Sequence, residues 1–415
     1  MNEIERVNYY KDLLEKYGSP LYVYKEDILR DRCQKILNFK NNIERSLDGI
    51  KISMHYSTKA NNNPAILKIV KEYGIGVDCM SLLELHINQR CGFEDNNILY
   101  VCNNIDEEEM KAVYDAKVLI CLDSISQMET WGKIYPNTNI MVRINPGIEG
   151  VGHSKEVITS GKETKFGITE NNFEQMFNVA KNYSLNIIGV HQHLGSLFLN
   201  DKIDDYINGV KRGLSLINKY EEFNNVEIID LGGGFGVPYK GEDSLDFSIL
   251  EENLIEVLKD FAKGHTALKE LKFEPGRFIP CESGFILGRV TAIKHENNIY
   301  WIGTDIGMNQ LVRPSMYDAY HEIEIIGNNN SIEVEANICG NICESGDILA
   351  KHRKIKLPNV GDIILVYNAG AYGYSMASNY TGRLRPAEVM ISNNHDRLIR
   401  KRETIDYIES NIIWD

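Results

Sequence analysis

Between residues 50 and 276 the chain repeats one pattern, a short β-branched and apolar run followed by a longer segment of helical period. Eight runs are present: Ile52–Ser57, Ile75–Cys79, Ile98–Cys102, Val118–Leu122, Ile140–Asn145, Ile187–His193, Val226–Leu231 and Leu271–Glu274. Strands separated by helices run parallel, because a helical crossover returns the chain to the end from which it started. Eight such units, over close to the roughly 250 residues that a closed barrel takes, predict a (β/α)8 barrel. An open doubly wound sheet also alternates, but eight units followed by a change of pattern favour closure.

Helix starts fix the phase of the pattern. Pro64 opens a segment with Ile66, Leu67, Ile69, Val70 and Tyr73 at helical spacing, and Ser81-Leu-Leu-Glu84 reads as a capping box. Beyond residue 280 the long helical segments stop, and Phe285–Lys294, Asn298–Gly303, Glu322–Ile326, Glu333–Cys339 and Ile363–Tyr367 read as strands. The expected fold class is α/β: a TIM-type barrel over residues 30–277 followed by a C-terminal β domain of sandwich or barrel type. That domain takes residues 278–415 together with residues 1–29, whose Leu21–Tyr24 run adds a strand to it.

Composition narrows the partners. The 415 residues carry a formal net charge of −14, which argues against nucleic acid or an anionic membrane surface as the main partner. Met1–Lys11 has no apolar signal-like core, and no apolar run approaches the ~20 residues of a membrane span, so the chain reads as cytoplasmic. Eight cysteines lie scattered, several in strand-like runs, which fits reduced, buried thiols better than a disulfide framework. With no CxxC pair, a structural zinc module is not expected.

The polar and glycine-rich clusters fall at the C-terminal ends of the predicted barrel strands, where barrel active sites are built. Lys59, in Ser57-Thr-Lys59-Ala-Asn61, leaves the first strand between apolar walls that suit a lysine to Schiff-base chemistry; a lysine merely reaching solvent from a strand end is the plain alternative. His191 and His193, two apart in a strand run, share a face, but no third metal ligand is evident nearby and no metal is expected. In Gly232-Gly-Gly234-Phe-Gly236 a dinucleotide fingerprint would put Val237 where its third glycine belongs, so a backbone cradle for a phosphate is favoured over NAD, with a tight turn as the structural alternative. Ser196 can add a hydroxyl to that phosphate. Glu274 and Arg277 close the eighth strand and read either as an ion pair or as a carboxylate that keeps a ring nitrogen protonated. A lysine for an aldehyde, glycines for a phosphate and a carboxylate for a pyridinium together describe a pyridoxal 5'-phosphate site.

With these motifs in order, the chain resembles the fold-type III pyridoxal phosphate-dependent decarboxylases. The resemblance rests on His55-Tyr-Ser-Thr-Lys59-Ala-Asn61, His193-Leu-Gly-Ser196, Asp230-Leu-Gly-Gly-Gly234, Glu274-Pro275-Gly276-Arg277, Gly307-Met-Asn309, Cys343-Glu344-Ser-Gly-Asp347 and Asn368-Ala-Gly-Ala-Tyr372-Gly. It implies that Lys59 carries the cofactor, Asp78 supports the lysine and ring region, His193 stacks on the ring, and Ser196 with Gly234 holds the phosphate. Glu274 pairs with the ring nitrogen, Pro275 and Gly276 bind the cofactor beside it, and Arg277 is shared between cofactor and substrate. Arg313 and Tyr317, four apart and so on one helical face, bind the distal part of the substrate.

The resemblance further implies a homodimer with shared active sites, in which Cys343, Glu344 and Tyr372 act across the interface and Cys343 donates the proton after carbon dioxide leaves. The expected reaction is decarboxylation of meso-2,6-diaminoheptanedioate to L-lysine. A decarboxylase for another dibasic or carboxyalkylated amine, including ornithine, lysine or carboxynorspermidine, is the nearest alternative; Glu344, where eukaryote-type ornithine enzymes carry an Asp, and Arg313, a charge for a distal carboxylate that ornithine lacks, speak against ornithine. A racemase would place an arginine where Glu274 stands, and a non-catalytic relative has no need of both Lys59 and Cys343. Cys79-Met80 and Asp305-Ile306-Gly307 depart from the usual family form without removing a chemical group the reaction needs.

Overall fold

The computed structural model describes residues 2–148, 159–161, 164–327, 332–393 and 395–414. Two compact units divide the chain: one holds residues 31–238 and 243–279, the other residues 1–30, 239–242 and 280–415.

Strand β1 (Leu21–Lys25) belongs to the second unit, and the first is the barrel. Its strands are β2 (Lys51–Ser57), β3 (Gly76–Cys79), β4 (Ile98–Val101), β5 (Leu119–Leu122), β6 (Asn139–Asn145), a two-residue β7 (Ile168–Thr169), β8 (Asn186–His191), β9 (Ile228–Asp230) and β10 (Glu270–Phe273). Pairing runs from β2 through β3, β4, β5, β6, β8, β9 and β10 back to β2, all parallel, with β7 on the edge of β6. The eight expected runs are the eight strands of this closed ring.

Register decides which side chains face inward, because partners in adjacent strands share a face. Leu99, Val101, Cys121 and Met141 pack together as an apolar half of the interior. Towards the C-terminal ends that same inward face carries Ser57, Asp78, Arg143, His191, Asp230 and Glu274, all buried. Outside the ring, the helix Pro64–Glu72 starts where Asn63 accepts from the Ala65 N–H, and it buries Ile66, Leu67, Ile69 and Val70. Each of those side chains contributes about 1.5–3 kcal/mol. Ser81 caps the helix Leu82–Arg90, but the box expected there is incomplete: the Glu84 carboxylate accepts from the Met80 N–H at 3.0 Å.

The second unit is built on a nine-stranded sheet. Besides β1 it contains β11 (Gly284–Glu296), β12 (Ile299–Thr304), β13 (Ile323–Ile326), β14 (Glu333–Cys339), β15 (Ile348–Lys356), β16 (Ile363–Val366), β17 (Ala387–Ser392) and β18 (His395–Arg400). The order is β15-β14-β12-β11-β1-β17-β18, with β16 also on β11 and β13 on β16. Leu21–Tyr24, each 0% exposed, lie between antiparallel β11 and parallel β17, so the N-terminal run is a central strand of this sheet. Six cysteines are buried, Cys339 is half-buried and Cys343 exposed. Among the described residues no helix is long and apolar enough to cross a membrane.

Candidate active site

Lys59 sits on a single helical turn, Thr58–Ala60, directly after β2. Three bonds tie this corner to its neighbours. Thr58 Oγ1 donates to the Asp78 carbonyl at 2.6 Å, the Ser57 N–H to the Pro275 carbonyl at 3.3 Å, and Ser57 Oγ to the Glu274 carbonyl at 3.3 Å. The lysine backbone is thus fixed to β3 on one side and to the end of β10 on the other.

Beside this corner lies a buried cluster of acids and a histidine. One ligand atom each of His191, Asp230 and Glu274 lies within 4.8 Å of the others, and His191 Nε2 stands 3.1 Å from Glu274 Oε2. Burial pushes the His191 imidazole down to about 3, so the ring is neutral and donates its Nε2 proton to the carboxylate. Burial, reinforced by Glu274, pushes Asp230 up to about 8 and raises Asp78 well above the carboxylate range. Burial raises Glu274 as well, opposed by Lys59, Arg143 and Lys272. Glu274 Oε1 has no hydrogen-bond partner among the described residues.

β8 ends at His191, so His193 lies in the following loop and not on the strand. Its Nδ1 accepts from the Gly233 N–H at 3.0 Å, which leaves Nε2 as the protonated nitrogen of a neutral ring, in keeping with a pKa that burial, then Lys59, lowers. Backbone from the ends of β8, β9 and β10 converges here. A Cβ on Gly233 would stand 2.0 Å from the Glu274 carbonyl oxygen, and Gly234, at φ +100°, would bring one within 2.7 Å of the Gly195 carbonyl oxygen. Only glycine permits these approaches. Ser196 Oγ accepts from Arg277 Nη2 at 3.3 Å, so the predicted serine, glycines and arginine share one rim.

In the sheet unit, one carboxylate organises two motifs. Asp347 accepts from the Met308 N–H at 2.6 Å and from the Ile342 N–H at 2.7 Å, pinning the loop that presents Cys343 to the Gly307-Met-Asn309 turn. Glu344, next to Cys343, accepts from the Tyr380 hydroxyl at 3.1 Å, and Tyr372 takes a positive φ of 55° in the loop after β16. Arg313 and Tyr317 begin and end one short helix. The guanidinium of Arg313, 1% exposed, donates to His321 Nε2 at 2.8 Å and lies 4.8 Å from the Tyr239 ring, while Asp318 pairs with Lys351. His321 Nδ1 lies 2.8 Å from the Tyr367 carbonyl, which makes it the donor and Nε2 the acceptor for the arginine.

Residues 33–281 match the family model of the pyridoxal-dependent decarboxylases, pyridoxal binding domain. The chain belongs to that family. Diaminopimelate decarboxylase of Methanothermobacter thermautotrophicus is 33% identical over 401 residues, 95% of this chain and 91% of the relative. The Aquifex aeolicus enzyme of the same name is 33% identical over 96% of this chain and 92% of its own. The crystal structure of diaminopimelate decarboxylase from M. jannaschii in complex with L-lysine superimposes with a TM-score of 0.84 at 30% identity, covering 97% of this chain and 94% of that one.

A pyridoxal-dependent decarboxylase needs a lysine for the aldehyde, donors for a phosphate and a carboxylate for the ring nitrogen. The residues present fit. A buried carboxylate oxygen without an N–H partner suits a pyridinium N–H, and glycines too crowded for any Cβ leave backbone open to an anion. No sequence motif marks Arg143 or Asp123. Arg143 is buried 3.8 Å from Asp123 and 4.5 Å from the Phe166 ring centroid, and an arginine inside the apolar run Ile140–Asn145 was the signal that could have found it. His191 was singled out, but its acidic partners come from strands distant in sequence.

Proposed function

We propose that this chain decarboxylates meso-2,6-diaminoheptanedioate to L-lysine with pyridoxal 5'-phosphate, a step of lysine biosynthesis. The observation that carries the reading is its 33% identity to diaminopimelate decarboxylase over nearly the whole of both chains. Bound pyridoxal phosphate supplies the electron sink for the pair left behind when carbon dioxide departs.

The protein's own groups do the rest. Lys59 would hold the cofactor through Nζ. Asp78 supports the lysine, His193 lines the ring, and Ser196 with Gly234 holds the phosphate. Glu274, in the Pro275-Gly276 turn, keeps the ring nitrogen protonated, and Arg277 serves both cofactor and substrate. Arg313 and Tyr317 take the distal carboxylate and amine. Barrel residues 30–277 form the cofactor domain, and the remainder completes the site of a second copy: Cys343, Glu344 and Tyr372 act across a homodimer, with Cys343 delivering a proton to the carbon that lost carbon dioxide. A cytoplasmic setting follows from the reaction and from the reduced cysteines.

The test is incubation of the purified enzyme, loaded with cofactor, with diaminopimelate, lysine and ornithine in parallel, reading carbon dioxide and amine products. Turnover of diaminopimelate well above the others is the expected result; preferred turnover of ornithine or lysine refutes the reading.

A further inference from the structure

The barrel interior holds a cation that the reading above leaves unused. Lys272 lies on β10 two residues before Glu274, so the two share the inward face, and in register it stands beside Asp230 of β9. It is 5% exposed. Its Nζ bonds His55 Nε2 at 3.0 Å and lies 3.2 Å from Glu270 Oε1.

Both partners fix the lysine in place. His55 is pushed down to about 3 by burial and then by Lys272, so it is neutral; its Nδ1 lies 3.3 Å from the Val77 carbonyl, which leaves Nε2 to accept from the ammonium. Glu270, despite burial, is brought down to about 2 by Lys272 and by bonds from Ser53 and Lys51, and stays ionised. Below this group, towards the N-terminal ends of the strands, Lys272 and Glu270 line a cavity of about 850 Å³ together with Leu99, Leu119 and Ile228.

The charged and titratable groups that act on Glu274 come from every side of the ring: Lys59 after β2, Asp78 on β3, Cys121 on β5, Arg143 on β6, His191 on β8, Asp230 on β9 and Lys272 on its own strand. Lys59 is the residue that engages the cofactor; Arg143 has Asp123 at 3.8 Å and Lys272 has Glu270 at 3.2 Å. Of these cations, Lys272 is the one on Glu274's own strand, on the same inward face. We propose that Lys272 is a positioning residue, held by His55 and Glu270 inside the barrel, whose charge keeps Glu274 ionised. Only the catalytic consequence rests on the assignment of Glu274 to the ring nitrogen. Cα atoms two apart in a strand lie roughly 7 Å apart, and a unit charge about 7–10 Å away at an effective dielectric of about 20 shifts a pKa by roughly one to two units.

The experiment titrates Glu274 itself. In full-length enzyme stripped of cofactor, the infrared band of its protonated carboxyl is identified by subtracting Glu274→Gln and followed against pH in the native protein, in Lys272→Gln and in Lys272→Met. Both neutral variants are expected to raise the midpoint by at least one pH unit, a tenfold gain in proton affinity, and by the same amount, while Lys272→Arg leaves it in place. An unmoved midpoint in either folded neutral variant overturns the proposal. In the loaded enzyme the acidic limb of kcat should move up with the midpoint. If the midpoint moves and the limb does not, the role of Lys272 stands and the ring-nitrogen assignment of Glu274 falls.

Discussion

His191 Nε2 faces Glu274 Oε2 at 3.1 Å, with both side chains sealed inside the barrel and His191 Nδ1 without a partner among the described residues. A neutral imidazole thus gives its one N–H to the carboxylate central to the site. His191→Leu removes that donor and leaves a buried carboxylate one bond short, which costs about 1–3 kcal/mol. Urea denaturation of the cofactor-free protein should show the loss as a lowered midpoint with an unchanged slope. A variant as stable as the parent would show that the contact is incidental.

Lys59→Ala should abolish the visible absorption of bound cofactor and, with it, turnover. The turn Thr58–Ala60 is held by backbone bonds and by Thr58, so far-ultraviolet circular dichroism should be unchanged. Retained turnover sinks the cofactor assignment.

Mixing tests whether sites are shared. Lys59→Ala and Cys343→Ala are each expected to be inactive alone, and re-formed heterodimers to regain activity, because one of their two sites then has both residues intact. Two proteins that exchange subunits and stay inactive would exclude a site built across the dimer.

Arg313→Leu should separate substrates by charge. A distal carboxylate gains a charge-assisted bond from the guanidinium worth about 1.5–3 kcal/mol, so KM for diaminopimelate should rise at least tenfold, the low end of that range. Any weak activity on lysine or ornithine should barely change. Equal losses on all substrates would mean that Arg313, bonded to His321 and lying over Tyr239, is packing alone.

The buried acids and histidines give the cofactor-free protein a pH signature whose sign can be worked out. Asp230 is pushed up to about 8, so in the folded state it keeps a proton that an unfolded carboxyl gives up near pH 4, and stability falls as pH rises between the two. His55 and His191 sit at about 3, so the unfolded chain gains protons below about pH 6.5 that the folded one refuses, and stability falls as pH drops. The two oppose each other up to about pH 6.5. From there to pH 8 only the acids act. Thermal melts should therefore show Tm declining over that window, and Asp230→Asn should flatten the decline. A Tm that climbs with pH there contradicts the assignment.

The barrel was legible because its strands, covered on the inside by the opposite wall and outside by helices, are short apolar runs bounded by helix signals. Two strands not legible in the sequence, β15 and β18, carry Lys351, His352, Arg353 and Lys354 in one and His395, Asp396 and Arg397 in the other; half-exposed strands carry charges that erase the apolar signal. Lys59, the glycines and Glu274 were readable because each belongs to a local motif. The proton economy around Glu274 was not, since closing the ring joins His191, Asp230 and Lys272 from three strands. Nothing in the run Leu271–Glu274 says that its lysine points inward.

The central position of β1 has a consequence for synthesis on the ribosome. Its five residues leave the exit tunnel before any of the barrel does, yet one neighbour, β11, begins at Gly284 and the other, β17, at Ala387. All eight barrel strands can pair while Leu21, Tyr22, Val23 and Tyr24 still wait, and the first strand made is among the last to be enclosed. For most of translation the nascent chain therefore carries an unpaired strand rich in Leu, Val and Tyr, a natural target for chaperones and a hazard for aggregation.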